Sequence, residues 1–175
     1  AGSKSEGGEV TSIAKLLSSS RFLPPPLSVI DGRSGAWLER KRLWAKLGLE
    51  GEVGRHEEAK GGAFAGHKYL DGAAYGKKNA EKTSTFDPVL CEVLYRWYCP
   101  SGGRVLDPFA GGPTRGVVAA LTGHPYLGVN LSEKQVEANR HQAQKLGTAP
   151  VWVVGDSRGI FGITKEHGLY DMAFT

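Results

Sequence analysis

Apolar positions along this chain change texture near residue 83. Beyond that point, short apolar runs alternate with stretches in which apolar residues recur every three or four positions. Val89, Leu90, Val93, Leu94 and Trp97 fall on one helical face. Asp87-Pro88 supplies an N-cap followed by proline at the first helical position, and Pro100-Ser101-Gly102-Gly103 stops the helix. Arg104 to Phe109 is a short apolar run that reads as a buried strand. A helix follows Gly111-Gly112, passing through Val117, Val118, Ala119, Ala120 and Leu121 to Gly123. Tyr126 to Asn130 reads as a second strand. Ser132 and Gln135 form a capping box for a helix that runs to Leu146 and ends at Gly147. Val151 to Val154 is a third strand and Tyr170 to Phe174 a fourth. Strands alternating with helices in this way predict an α/β fold with a doubly wound parallel sheet.

The upstream half has no such rhythm. Residues 1–20 are small and polar and predict a loose, flexible arm. In 21–47, Pro24-Pro25-Pro26 forces an extended run that cannot enter a central strand. From Ser34 a helix is expected, capped by that serine, with Trp37, Trp44 and Leu47 at helical spacing and Gly48 ending it. Its other face is expected to carry Arg40, Lys41, Arg42 and Lys46. Residues 48–82 hold glycines at 48, 51, 54, 61, 62, 66, 72 and 76 without periodicity, and predict a mobile loop. The chain has 25 glycines in 175 residues, about twice the usual ~7 %, and this stretch accounts for much of the excess.

Composition narrows the class. The net charge is +4, with 23 % charged and 9 % aromatic residues, ordinary for a globular domain. No apolar run approaches the roughly 18 residues of a membrane span, and the N-terminus lacks the apolar core of a secretory signal. Cys91 and Cys99 stand eight residues apart. That is about 12 Å of helix, too far for a bridge, and a reduced cytoplasmic protein is the economical expectation. Five scattered histidines make no metal-ligand pair, so no metal is expected.

The segment Asp107-Pro108-Phe109-Ala110-Gly111-Gly112-Pro113-Thr114 carries the chemistry. Ligands of open α/β sheets sit beyond the carboxyl ends of the strands, where strand order reverses. A Gly-Gly turn there lets a ligand approach the backbone. Pro113 stands where a dinucleotide fingerprint needs glycine, and Arg115-Gly116 follows where a phosphate loop needs Gly-Lys-Ser/Thr. Pyrophosphate is therefore not the expected ligand. Asn130 can bind ribose hydroxyls, Asp156 can accept from an adenine amine, and Asp107 can hold an ammonium group. A nucleoside with a charged amino-acid tail and no phosphate fits these groups, which describes S-adenosylmethionine. Each residue also has a plainer role: Asp107 as a loop-stabilising carboxylate, Asn130 as a strand-end cap, Asp156 in an ordinary turn.

These residues resemble a known family. VLDPFAGG is similar to the first motif, DPFxGxG, of DNA methyltransferases that modify the exocyclic amines of adenine or cytosine. Thr83-Ser84-Thr85-Phe86-Asp87-Pro88 resembles the family segment just before that motif. Tyr126 to Ser132 resembles the second motif and Gly155-Asp156-Ser157 the third. The match covers about residues 83–175. The N-terminal Pro-rich run and basic helix resemble leaders of phage and prophage members. The resemblance implies a Rossmann-like sheet holding S-adenosylmethionine through Thr85, Phe86, Asp107, Pro108, Phe109, Ala110, Gly111, Gly112, Thr114, Asn130, Leu131, Asp156 and Ser157. Phe86 lines that pocket or only staples the helix that Asp87 caps. DNA is the implied partner. Arg40, Lys41 and Arg42 are candidates for phosphate contact, against the plainer reading of a solvated face.

Two departures stand out. Asn130 replaces the family's acidic ribose ligand, and GGPTR replaces GxGTT. The family's catalytic tetrapeptide, a polar residue followed by Pro-Pro-aromatic, follows the fourth strand, so it is expected just after Thr175. The sequence is thus expected to be the cofactor-binding portion of a methyltransferase, either a fragment or one half of a split enzyme that a C-terminal chain complements, with no catalytic residue of its own. Methyl transfer to RNA or another acceptor, and a non-catalytic cofactor- or nucleic-acid-binding protein, are the alternatives.

Overall fold

The computed structural model of the protein describes residues 15, 17, 30–33, 35–51, 53 and 86–175. Their elements are α1 (Gly35–Lys46), α2 (Pro88–Tyr98), β1 (Val105–Asp107), α3 (Thr114–Leu121), β2 (Tyr126–Asn130), α4 (Glu133–Lys145), β3 (Val151–Val154), α5 (Ile160–Thr164) and β4 (Met172–Ala173), with a 3-10 turn over Ser157–Gly159. Local signals fix most boundaries. The Asp87 carboxylate accepts from Val89 N at 2.9 Å and starts α2, and Ser132 Oγ accepts from Gln135 N at 3.2 Å and starts α4. Gly48 and Gly147 take positive φ just past α1 and α4, where a side chain would strain the backbone.

The four strands form one parallel sheet in the order β3-β2-β1-β4. Val105 lies beside both Tyr126 and Met172, and Leu127 lies beside Val151. The chain steps outward from β1 to β2 to β3, then returns to pair β4 with the other side of β1. Strand order therefore reverses between β1 and β4, and the loop after β1 stands at that switch point.

Val105, Leu127, Val129 and Trp152 from the sheet, Val117, Val118 and Ala119 from α3, and Val136 and Ala143 from α4 are buried. Each large side chain contributes about 1.5–3 kcal/mol by leaving water. A glycine inside α3 makes this packing possible. A Cβ on Gly116 would stand 2.5 Å from Trp152 Cζ2 and 2.9 Å from Tyr126 Cε1. Without it, the helix lies directly on the T-shaped Tyr126–Trp152 pair, whose centroids are 5.8 Å apart. Part of the glycine excess therefore serves close packing.

The basic face expected of α1 divides. Trp37, Arg40 and Trp44 form its buried stripe, because positions three and four apart share a face. Arg40 is 4 % exposed. Its Nε donates to Glu92 Oε2 at 2.8 Å and its Nη2 to the Leu17 carbonyl at 2.9 Å. Trp44 Nε1 and Arg96 Nε also donate to Glu92, each at 3.2 Å. Arg40 is thus an internal anchor between α1 and α2, which corrects its candidacy for DNA phosphate contact. Lys41 pairs with Asp87 at 2.9 Å, and of the three basic residues only Arg42 is exposed.

Other expectations need adjustment. Lys15 and Leu17 are helical and Leu17 is fully buried, so the loose arm does not extend to them. Residues 48–51 and 53 pack on the domain, with Leu49 buried; Gly48 O accepts from Gln142 Nε2 at 2.6 Å and Val53 O from Gln135 Nε2 at 2.7 Å. At these residues the chain is therefore not the mobile loop expected of 48–82. The Ser132 N–H donates to Asn130 Oδ1 and not to the Gln135 side chain, whose Nε2 also reaches Asn139 Oδ1, so only the serine half of the capping box forms. The Ser34 cap, the proline run, residues 54–82 and Thr85 lie outside the described residues. The first and fourth strands are shorter than their apolar runs, and α5 with its preceding 3-10 turn has no counterpart in the apolar pattern. Cys91 and Cys99 are free thiols. Among the described residues no helix is long and apolar enough to cross a membrane.

Candidate functional site

The loop Pro108–Gly112 leaves β1 at its carboxyl end, and its carbonyls are held one after another by side chains from different elements. Pro108 O accepts from Ser157 Oγ, past the end of β3. Phe109 O accepts from Arg115 Nη2 of α3 at 2.7 Å. Ala110 O accepts from Asn130 Nδ2, the last residue of β2. Gly111 O accepts from Asn139 Nδ2 of α4 at 2.9 Å. All described peptides are trans, so each carbonyl points opposite to the N–H that follows it. Asn130 and Asn139 thereby turn the N–H groups of Gly111 and Gly112 away from themselves.

Donors earlier in the loop are used internally. Phe109 N donates to Asp107 Oδ1 at 3.1 Å and Ala110 N to Val129 O at 2.9 Å. The Gly111 and Gly112 N–H groups have no partner among the described residues. A Cβ on Gly111 would meet nothing within 4 Å, so the turn opens onto free space there. A Cβ on Gly112 would lie 2.5 Å from the Gly51 carbonyl oxygen. The two glycines therefore serve different ends: Gly111 leaves room, and Gly112 admits the segment after α1. Phe109 and Leu131, which follow β1 and β2, are 66 % and 74 % exposed and offer apolar surface at the carboxyl end of the sheet.

Behind the turn sits a buried charge pair. Asp107 is 0 % exposed. Its Oδ2 receives Arg115 Nε at 2.6 Å and the Tyr126 hydroxyl at 2.7 Å. The Arg115 guanidinium lies 4.9 Å from the Phe86 ring centroid and 6.0 Å from that of Phe174, and the two rings meet edge to face at 5.3 Å. Burial pushes the Asp107 carboxyl above its ordinary value, against the pull of Arg115, Tyr126 and the Phe109 N–H. Burial, with the Asp107 charge next in size, drives the Tyr126 hydroxyl well above its usual value, so it stays protonated as a donor.

The residues singled out from the sequence thus separate by role. Pro108, Phe109, Ala110, Gly111, Gly112, Thr114 and Asn130 converge on the turn. Ser157 and Asn130 hold its backbone, and Asn130 Oδ1 also accepts from Ser132 N at 2.8 Å. One amide hydrogen and one lone pair of Asn130 remain. Asp156 caps the 3-10 turn through Arg158 N at 2.9 Å, and the exposed Arg158 side chain holds its carboxylate below the usual range. Such a solvent-screened pair is weak and exchanges cheaply. Phe86 is engaged with Arg115 and Phe174. Thr114 is 2 % exposed, and its Oγ1 has no partner among the described residues.

Two contributors were missed. Arg115 was visible only as a departure from the family's turn. Asn139 lies 28 residues beyond Gly111; its signal was an asparagine on the buried face of an otherwise polar helix.

No protein-family model matches the chain, and no curated protein matches it. Among solved structures, TrmN from Thermus thermophilus is similar over 54 % of this chain and 27 % of its own, at 28 % identity and a TM-score of 0.40. A protein-L-isoaspartate O-methyltransferase is similar over 94 % of this chain and 47 % of its own, at 21 % identity and a TM-score of 0.48. The chain spans less than half the length of either.

Proposed function

We propose that this chain binds S-adenosylmethionine at the Gly111-Gly112 turn and serves a methyltransferase that acts on exocyclic amino groups of adenine or cytosine in DNA. One observation carries the reading. Four consecutive carbonyls are tied back by Ser157, Arg115, Asn130 and Asn139, and the N–H groups of Gly111 and Gly112, without a partner among the described residues, remain at the switch point of the sheet, with open space beside Gly111. A rigid turn that offers backbone donors suits a ligand with a polar tail. The exposed Phe109 and Leu131 suit its purine.

When bound, this cofactor supplies a methyl group activated on a sulfonium sulfur. The chain's own residues position it. Gly111 and Gly112 take the amino-acid tail. The remaining amide hydrogen of Asn130 serves a ribose hydroxyl, and Asp156 accepts from the adenine amine by exchanging its exposed arginine. Orientation of this kind is the main source of acceleration in an in-line transfer between two bound groups. Thr85 is proposed for the same pocket from its motif. DNA as acceptor rests on the motif resemblance.

Calorimetry with S-adenosylhomocysteine tests the cofactor assignment. Saturable binding that Gly111→Ala weakens without lowering Tm supports it, and no binding refutes it. Labelled cofactor supplied with DNA and with RNA of the same sequence tests the acceptor. Label in DNA amino groups is expected, and label in RNA alone overturns that part.

A further inference from the structure

Donors and acceptors around the turn do not balance. An ammonium group needs acceptors. The acceptor expected for it, Asp107, is fully buried, with Oδ2 taken by Arg115 and Tyr126 and Oδ1 by the Phe109 N–H. Displacing Arg115 would strand a guanidinium between the Phe86 and Phe174 rings. The turn's carbonyls face elsewhere: those of Pro108, Phe109, Ala110 and Gly111 each point at a side chain that donates to them, and the last two stand opposite to the N–H groups of Gly111 and Gly112. What the turn presents is donors: the N–H groups of Gly111 and Gly112, with the buried, unpartnered Thr114 hydroxyl next in the chain after Pro113.

We infer that this site recognises the amino-acid tail of its ligand through the carboxylate, with the ammonium contributing little, because Arg115 has already closed the Asp107 carboxylate. The inference rests on the cofactor reading above and specifies which end of the tail is read. A carboxylate accepts two N–H groups and a hydroxyl in charge-assisted bonds, the stronger kind. It also meets no uncompensated negative charge, since Asp107 is paired.

A ligand series on the unaltered protein tests this by calorimetry. The four ligands are S-adenosylhomocysteine, its analogue lacking the amino group, its analogue lacking the carboxyl group, and 5′-methylthioadenosine. The acid without the amine should bind within about threefold of the parent. The amine without the acid should fall about tenfold or more, to the level of methylthioadenosine, as loss of hydrogen bonds to a charged group implies. Retention by the amine and loss by the acid would overturn the inference while leaving the cofactor reading intact. No binding by any of the four would refute both. Thr114→Val removes a hydroxyl that has no partner to lose among the described residues. It should weaken only the two carboxyl-bearing ligands, by about threefold to tenfold. Equal affinity for all four ligands before and after the change would count against the hydroxyl as a tail contact and overturn that part.

Discussion

Arg115→Met isolates the charge pair behind the turn. Methionine keeps an unbranched stem against Phe86 and Phe174 but leaves the Asp107 carboxylate, with no exposure, only the Tyr126 hydroxyl and the Phe109 N–H. Deleting one partner of a buried pair costs about 3–5 kcal/mol, because the other charge stays uncompensated. Phe109 O also loses a donor at 2.7 Å, worth about 1 kcal/mol more. At about 2–4 °C per kcal/mol for a chain of this size, Tm should fall by about 8–24 °C, followed by tryptophan fluorescence.

The pH dependence separates charge from packing. Burial raises the Asp107 pKa in the folded state, so the native protein binds that proton more tightly than the unfolded chain. The favourable contribution is complete below the ordinary carboxylate pKa and is lost as pH rises through the raised folded value. Without Arg115 the folded pKa climbs further. The variant should therefore regain stability near about pH 5 relative to about pH 8 by more than the wild type does. Arg115→Met combined with Asp107→Asn should recover most of the loss. An equal deficit at both pH values, or no recovery in the double variant, would refute an electrostatic role for the pair.

Three further outcomes are expected. Gly112→Ala places a Cβ 2.5 Å from the Gly51 carbonyl, so it should cost about 1–3 kcal/mol and speed hydrogen exchange at the Leu49 and Val53 amides. Gly116→Ala, aimed at Trp152 and Tyr126, should cost a similar 1–3 kcal/mol or so in urea unfolding; an unchanged midpoint would mean that α3 can lift off the sheet freely. Arg40→Ala should cost about 1.5–3 kcal/mol, because Glu92 loses its closest cation and keeps only Arg96 and Trp44, whereas Arg42→Ala should stay within about 0.5 kcal/mol; comparable losses would contradict the division of the basic run.

The sequence by itself determined where α2, α4, β2 and β3 lie, where α1 stops, and that the sheet is parallel. Asp87, Ser132, Gly48 and Gly147 act within one helical turn of themselves, and the apolar runs Tyr126–Asn130 and Val151–Val154 coincide with β2 and β3. The place of the Gly-Gly turn was equally legible, because strand-to-helix order fixes the carboxyl ends of the strands and the turn follows one of them. What each residue does there was decided by the tertiary structure. Arg40 read as solvated until Glu92, 52 residues away, gave it a buried partner. The short α5 carries too few apolar positions to show a period.

Asp107 read as a ligand for an ammonium group because one-dimensional order does not show that Arg115 faces it. Peptide orientation in the turn depends on Asn130 and Asn139, which reach it from 20 and 28 residues away. A hydrogen bond needs its two groups within about 3 Å and aligned. Which donors and acceptors satisfy one another, and which are left for a ligand, is therefore settled only once distant elements have packed.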